Sequence, residues 1–108
     1  MESKPPDFIA LLKYRTTEEG GRKTSAASGY RPQVKFAFSE KQTSGQQTFL
    51  DKDLVNPGET VSAEIKMISP HFFEKSLIEG MTFEFREGST IIGIGEVIKI
   101  INLNLKKD

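Results

Sequence analysis

The stretch "EGMTFEFREGSTIIGIGEVIKII", residues 79–101, contains a strand pattern that indicates the fold class of this chain. Its first half alternates between apolar and polar side chains, with apolar residues at Met81, Phe83 and Phe85. Its second half is rich in β-branched residues and contains two glycines, which indicate bends or a close approach of the backbone. Turn-forming residues at 86–89 separate the two halves. Because alternation with a period of two is typical of half-buried strands, the stretch predicts two β-strands.

The same alternation occurs in three segments nearer the N-terminus. Apolar residues take every second position in residues 8–14, 34–38 and 61–67. In the first of these, Ile9 and Leu11 add apolar side chains to the second face, so we expect that strand to be covered on both sides near its start. Turn signals lie between the strands, at 43–45 and 56–59. About six strands without a helical stripe predict an antiparallel barrel or sandwich.

Length and composition limit the class of protein. The 108 residues suffice for one hydrophobic core, and the 15 basic and 15 acidic residues cancel. A neutral chain has no overall field that attracts nucleic acid or an anionic membrane. The sequence has no cysteine, which excludes disulfides and thiolate metal sites. The N-terminus lacks the apolar run of a signal peptide or a membrane span, so we expect a cytoplasmic protein without membrane contact.

Candidates for catalysis are scarce in this sequence. His71 is the single histidine, and its neighbours Pro70 and Phe72 favour a packing or surface role. A hydrolytic triad would have to rest on this residue with an unidentified serine. A metal site would need ligands that the chain largely lacks. We therefore predict that the protein is not an enzyme and has no metal site and no cofactor.

The segment "PHFFEKSLIEG", residues 70–80, interrupts the alternation. It predicts one helical turn, capped by Gly80, that plugs an end of the barrel. Phe72 and Phe73 are adjacent and point in different directions, so it is hard to bury both rings at the same time. Two interpretations stay open: the segment is a lid over the core, or one of these rings is an exposed anchor in a protein interface.

The longest segment without a strand pattern is "EEGGRKTSAASGYRPQ", residues 18–33. Loops of this length in compact domains are usually functional or disordered. The paired glycines permit backbone paths that other residues cannot follow. Arg22 and Arg31 offer planar donor groups for carboxylates or carbonyls, and Tyr30 combines an apolar ring with a polar tip. This composition is typical of a contact surface.

Several motifs occur in an order that resembles the C-terminal domain of bacterial elongation factor Tu. They are "EGGR", "GYRPQ", "NPGE" and the "REG" turn followed by two spaced glycines, within roughly residues 7–101. The resemblance implies a six-stranded antiparallel Greek-key β-barrel, which agrees with the strand count. We expect this barrel at 7–102, between a flexible tail at 1–6 and a C-terminal tail at 103–108. The chain resembles a stand-alone form of that domain.

The phosphate-binding loop of GTPases, G-x-x-x-x-G-K-[ST], is missing from this sequence. We therefore expect no GTP binding by this chain. In the family, the barrel packs on the GTPase domain, contacts the T-stem of aminoacyl-tRNA and meets the nucleotide-exchange factor. Where the family has a histidine and two phenylalanines for the exchange factor, this sequence has Lys23, Ala26 and Ala27, so we do not expect that partner.

The surface that the family uses against the GTPase domain matches this sequence best. The resemblance places in a protein interface the residues Glu19, Gly20, Gly21, Arg22, Tyr30, Arg31 and Gln33. The partner would be a GTPase domain or another component of a translation factor. An alternative is equally compatible with these residues: Arg22, Tyr30 and Arg31 only brace the long loop on the barrel.

The surface that contacts tRNA in the family is only partly present. The resemblance assigns to RNA the turn residues Arg86, Glu87 and Gly88 and the 40–46 hairpin with Gln42, Thr43 and Ser44. The glycine and the arginine that follow the turn in the family are Ser89 and Thr90 here, and the basic residue before the family's proline is Ser69. Because binding to a nucleic-acid backbone depends on cations, these losses weaken the prediction.

Two hypotheses about function follow from the sequence. The first is a non-catalytic interaction module that binds a protein through the 18–33 loop. The alternative is an accessory of translation that binds tRNA or another RNA through the turn at 86–88 and the 40–46 hairpin. Binding across a salt series separates them, because only RNA binding falls steeply with salt.

Overall fold

The computed structural model of the protein describes residues 5–108, which form a small β-barrel. The strands, in chain order, are β1 Phe8–Tyr14, β2 Ala26–Ala27, β3 Gln33–Phe36, β4 Gln42–Phe49, β5 Leu54–Val55, β6 Thr60–Met67, β7 Thr82–Glu87 and β8 Thr90–Ile100. Two short 3₁₀ turns, Pro70–Phe73 and Leu103–Leu105, follow β6 and β8. The predicted tail at 1–6 lies largely outside the described residues.

Six strands close the barrel in the order β1-β6-β4-β3-β7-β8, and every neighbouring pair is antiparallel. The remaining strands, β2 and β5, form a separate two-stranded sheet. Strands β3, β4 and β6 lie side by side in the barrel in chain order, with only the short β5 between β4 and β6 in sequence, while β7 returns to the far side of β3. This order is the Greek key. The prediction of a six-stranded antiparallel Greek-key barrel is confirmed.

Alternation along the strands decides which side chains fill the barrel. On β1, Phe8, Ala10 and Leu12 are fully buried, whereas Leu11 is 41% exposed. The outer face of β1 is therefore partly covered only near its start, at Ile9, and is exposed from Leu11 onward. Strands β6 and β7 follow the same rule, with their apolar positions inside. Burying such a side chain contributes about 1.5–3 kcal/mol, so a shift of register by one residue would be very costly.

The two glycines of β8 serve the close approach that the sequence indicates. Gly95 pairs with Phe83 and Gly93 pairs with Phe85 across β7 and β8. A Cβ atom at either glycine would overlap the phenylalanine ring of its partner. The rings therefore lie over the backbone of β8 inside the barrel, in space that only glycine leaves free.

The predicted turn at 43–45 is wrong, because these residues lie inside β4. Gly45 is buried, and a Cβ there would lie 2.5 Å from Cγ2 of Val34. This glycine is required for packing between β3 and β4 and not for a turn. The chain reverses earlier, between Phe36 and Gln42, so Phe38 lies beyond the end of β3 and is 49% exposed.

The 70–80 segment covers one end of the barrel. Phe73 has no exposed surface, and its ring meets that of Phe36 edge-on at 5.0 Å between centroids. Leu77 is also fully buried. The predicted helical turn is present as the 3₁₀ turn Pro70–Phe73, but the chain is not helical as far as Gly80. The interpretation as a lid agrees with this packing.

The segment 103–108 is not the tail that the sequence suggests. Leu105 is 1% exposed, and the amides of Ser76 and Leu77 donate hydrogen bonds to its carbonyl at 2.9 and 2.8 Å. Leu77 and Lys106 also form a parallel bridge. A single buried leucine anchors this segment on the lid. The sequence did not indicate the contact, because the other residues of the segment are mostly polar.

Asp7 joins the beginning and the end of the barrel. Its Oδ2 accepts a hydrogen bond from the amide of Met67 at 2.7 Å, and its Oδ1 accepts one from Nδ2 of Asn102 at 2.9 Å. The carboxylate is 5% exposed, and these bonds satisfy both oxygens. Burial of a charged group requires such partners.

Candidate functional site

The loop between β1 and β3 begins with a hydrogen-bonded turn. The amide of Thr16 donates to Oε1 of Glu19 at 2.9 Å, and the amide of Glu19 donates to Oγ1 of Thr16 at 3.1 Å. The hydrogen bond from the Thr16 amide to the carboxylate is the largest cause of a Glu19 pKa below its ordinary value, and the Thr16 side chain acts in the same direction. The turn holds the "EEGG" residues in one conformation although the side chains of Glu18 and Glu19 are exposed.

Both glycines of this turn are needed for its backbone. Gly20 has a φ of 98°, in the left-handed region that favours glycine. Gly21 has another reason, because a Cβ there would lie 2.6 Å from the carbonyl oxygen of Arg15. The chain therefore turns back on the end of β1 at a distance that a side chain would prevent.

Three side chains that are distant in sequence meet at the centre of the loop. The guanidinium of Arg22 forms an ion pair with the carboxylate of Glu87, and the hydroxyl of Tyr30 donates a hydrogen bond to the same carboxylate oxygen. The guanidinium also lies over the Tyr30 ring, 4.7 Å from its centroid. We call Arg22, Tyr30 and Glu87 the loop clamp. It fixes the 18–33 loop on the β7–β8 hairpin.

Burial contributes to the clamp. It raises the pKa of Tyr30 well above its ordinary value, and the hydrogen bond to Glu87 acts in the same direction. Arg22 is only partly exposed, and its guanidinium also donates to the carbonyls of Thr24 and Ser25, both at 3.3 Å. The planar guanidinium therefore binds a carboxylate, a ring and two carbonyls at once.

The second half of the loop is attached to the barrel wall. Ala26 and Ala27 of β2 pair with Val55 and Leu54 of β5. The amide of Gly29 donates to the carbonyl of Gln47 at 2.7 Å, and the amide of Gln47 donates to the carbonyl of Tyr30 at 2.8 Å. Inside the barrel, the hydroxyl of Tyr14 donates to Oε1 of Gln47. The loop therefore has fixed attachments at its start, centre and end.

Comparison with known families agrees with this architecture and with the motifs in the loop. The family model "Elongation factor Tu C-terminal domain" matches residues 4–101. The chain belongs to this family. The elongation factor Tu C-terminal domain is a non-catalytic barrel, and this chain is thus related to a translation factor. The loop clamp joins three of the motifs that carry the likeness to elongation factor Tu, the "EGGR", "GYRPQ" and "REG" sequences.

Within residues 5–108, no three side chains of histidine, cysteine, aspartate or glutamate form a group suited to a metal ion. The helices in the same part of the chain include none with the length and apolar character needed to span a membrane.

The residues predicted for the protein interface lie in three different places in the structure. Arg22 and Tyr30 belong to the clamp, and Glu19 and Gly20 lie exposed beside them, with Gly21 partly covered. Gln33 lies in the barrel wall instead, where its Nε2 donates to Oγ of Ser44 at 3.0 Å. Arg31 lines a cavity of about 300 Å³ with Gln46 and Lys66 and does not join the clamp.

The residues predicted for RNA binding do not form one cationic surface. Arg86 forms an ion pair with Glu84, and Glu87 is occupied by the clamp. Thr43 is 5% exposed, and its hydroxyl accepts a hydrogen bond from the amide of Ser69 at 3.0 Å. Of the other members, Gln42 and Gly88 are exposed, while Ser44 is half-buried.

Phe72 and Phe73 differ in what they offer to a partner. Phe73 is fully buried, so its predicted role in a protein interface does not fit this structure. Phe72 is half-buried, and the ammonium of Lys41 lies 5.0 Å from the centroid of its ring. The pair is accommodated because one ring points into the core and the other lies along the surface.

Some residues that shape the site were not found from the sequence. Gln47 looks like an ordinary polar residue, yet it is buried and supports both the loop and Tyr14. Glu84 neutralises Arg86. The sequence did contain a signal for the pair of Glu84 and Arg86, because residues two apart on a strand lie on the same face. Nothing in the local sequence marks Gln47.

Proposed function

We propose that this barrel is a non-catalytic interaction module whose protein partner binds on the 18–33 loop. The observation that carries the proposal is the loop clamp, in which Arg22 and Tyr30 converge on Glu87. The clamp holds in one conformation a long loop whose only strand is the two-residue β2. A partner that binds such a loop loses little free energy in ordering it.

The exposed residues around the clamp give the surface its chemistry. Glu18, Glu19, Lys23 and Thr24 are exposed next to Arg22. A surface with charges of both signs around a half-buried arginine is suited to a polar protein interface with an arginine at its centre. RNA would meet Glu18 and Glu19 as repulsive charges at this position.

The partner that we propose is a GTPase domain of the elongation factor Tu type. Membership of the family supports this choice, since the chain carries the "EGGR" and "GYRPQ" sequences within a matched region of residues 4–101. The GTPase domain would supply nucleotide binding from a separate polypeptide or from another segment of a longer one.

The test is calorimetric titration of the barrel with an isolated GTPase domain of elongation factor Tu, loaded with a non-hydrolysable GTP analogue. We expect Lys23→Glu to weaken binding by about tenfold, because this exposed side chain adjoins Arg22 at the proposed interface and makes no contact within residues 5–108 that supports the fold. Arg22→Ala removes the clamp and is expected to weaken binding further. Lys99→Glu, an exposed change on β8, is the matched control and should have no effect.

Two outcomes oppose the proposal. If Lys23→Glu and Arg22→Ala bind as the wild type does, the loop only braces the barrel. If the barrel binds aminoacyl-tRNA instead, with an affinity that falls steeply across a salt series, the RNA hypothesis is correct.

A further inference from the structure

A groove unrelated to the loop clamp lies where β1 begins and β6 and β8 end. A cavity of about 620 Å³ opens there, which is in the range of ligand-binding pockets. Its wall is largely apolar, formed by Pro5, Pro6, Ile68, Pro70 and Leu103. Ile68 and Leu103 are each 69% exposed, the highest values among the large apolar residues in the described chain. Apolar side chains exposed side by side along a concave surface indicate a binding site.

The apolar cavity continues into a cationic one. The cavity of about 300 Å³ that contains Arg31 and Gln46 shares Lys66, Met67 and Ile68 with the first. Lys66 is paired with Gln46 across β6 and β4, so the two cavities are joined along the outer face of these strands. The combined groove is apolar at one end and positively charged at the other.

The charge of the groove is not neutralised by the residues that the structure describes. Arg31 and Lys66 take part in none of the ion pairs found within residues 5–108. Asp7 is the one carboxylate among the residues lining either cavity, and both of its oxygens already accept hydrogen bonds from Met67 and Asn102. The groove therefore presents unmatched positive charge beside exposed apolar surface.

We propose that this groove binds an extended, acidic segment of a protein partner, with an apolar side chain in the larger cavity and carboxylates on Lys66 and Arg31. The prolines and the exposed aliphatic side chains favour an apolar anchor, and the two cations favour carboxylates. RNA fits less well, since the groove offers two cations and no aromatic ring for base stacking. Arg31 is the one residue of the 18–33 loop that lines the groove, and none of the three clamp residues does, so the proposal does not depend on the loop clamp.

The test uses a short fluorescent peptide of alternating leucine and glutamate, with anisotropy and amide chemical shifts as readouts. We expect shifts at Lys66, Ile68 and Leu103, and a loss of affinity of about tenfold for Lys66→Glu. Leu103→Ser should also weaken binding, and it is expected to fold because this side chain is exposed. Peptides with lysine in place of glutamate, or serine in place of leucine, should bind more weakly than the original.

The controls change exposed residues outside the groove. Lys99→Glu matches the charge change, and Ile98→Ser removes an apolar side chain that is 48% exposed on β8. Neither should alter the affinity, and Arg22→Ala should also leave it unchanged. The proposal fails if the peptide does not bind, if Lys66→Glu binds it as tightly as the wild type, or if a single-stranded RNA shifts the same amides at lower concentration.

Discussion

The guanidinium of Arg22 is ion-paired with the carboxylate of Glu87, which lies 65 positions further along the chain. This contact joins the longest loop of the protein to the β7–β8 hairpin, and Tyr30 strengthens it by donating to the same carboxylate. Two regions that appear separate in sequence, one expected to bind protein and one expected to bind RNA, are therefore one surface. Changes in either region are expected to alter the other.

Glu87→Ala should loosen the 18–33 loop much more than it destabilises the barrel. Glu87 is 45% exposed, so solvent screens the ion pair and the loss of unfolding free energy should be about 0.5–1 kcal/mol. Amide exchange at Arg22 and nearby loop residues should accelerate strongly, while exchange in β1 and β6 should not. Glu96→Gln, an exposed change on β8, is the control. Unchanged exchange in the loop would show that the clamp does not order it.

The buried pair of Tyr14 and Gln47 should behave as one unit in a double-mutant cycle. Tyr14→Phe leaves the Gln47 side-chain oxygen without its donor inside the barrel, which should cost about 1–3 kcal/mol. Gln47→Leu leaves the tyrosine hydroxyl unpaired. The double variant should cost less than the sum, because no polar group then remains unsatisfied. Urea unfolding measures all three, and strictly additive losses would contradict the coupling.

Alanine substitutions at the two glycines of β8 should differ in how much stability is recovered when the opposing phenylalanine is replaced by leucine. Gly95→Ala and Gly93→Ala should each cost about 1–3 kcal/mol through overpacking. The nearest atoms to a Cβ at Gly95 all belong to the Phe83 ring, so Phe83→Leu should recover part of the stability. At Gly93 the Lys13 carbonyl also obstructs the new Cβ, so Phe85→Leu should recover less. Equal recovery at both positions would refute this explanation.

Ser89→Ala is the matched control for the glycine variants, because Ser89 is exposed in the turn between β7 and β8. Its unfolding free energy should stay within about 0.5 kcal/mol of the wild type, as is usual for surface substitutions. The stability of each variant is measured by denaturant unfolding at equilibrium.

The tyrosines should ionise at a higher pH in the folded protein than in the unfolded protein. Burial raises the pKa of both tyrosines, Tyr14 and Tyr30, well above the ordinary value. The folded state therefore holds these protons more tightly than the unfolded state does. The resulting stabilisation is complete below about pH 10, the pKa of an unfolded tyrosine, and is lost as the pH rises toward the folded pKa.

Near-ultraviolet absorbance measures this ionisation directly, because the chain has 2 tyrosines and no tryptophan. We expect the phenolate signal to appear together with alkaline unfolding, in the wild type and in Tyr30→Phe alike. A reversible ionisation near pH 10 in a protein whose circular dichroism is unchanged would contradict the burial of Tyr14.

Local patterns in the sequence predicted most of the barrel but not all of its turns. Alternation identified the inward residues of β1, β6 and β7, because side chains on a strand point to opposite faces in turn. The prediction from turn-forming residues was wrong at Gly45, because this glycine allows close packing against Val34 of the neighbouring strand. The prediction of a tail was wrong at Leu105, since one buried leucine among polar residues produces no pattern.

The fold class and the family could be predicted from the sequence, since they depend on alternation and on motifs that are contiguous in the chain. Which of the predicted site residues contact one another became clear from the folded chain alone. Closure of the barrel brings Arg22 and Tyr30 to Glu87 and places Arg31 beside Lys66. Contacts between residues so far apart depend on how the strands are arranged around the barrel, and no short segment of sequence contains that information.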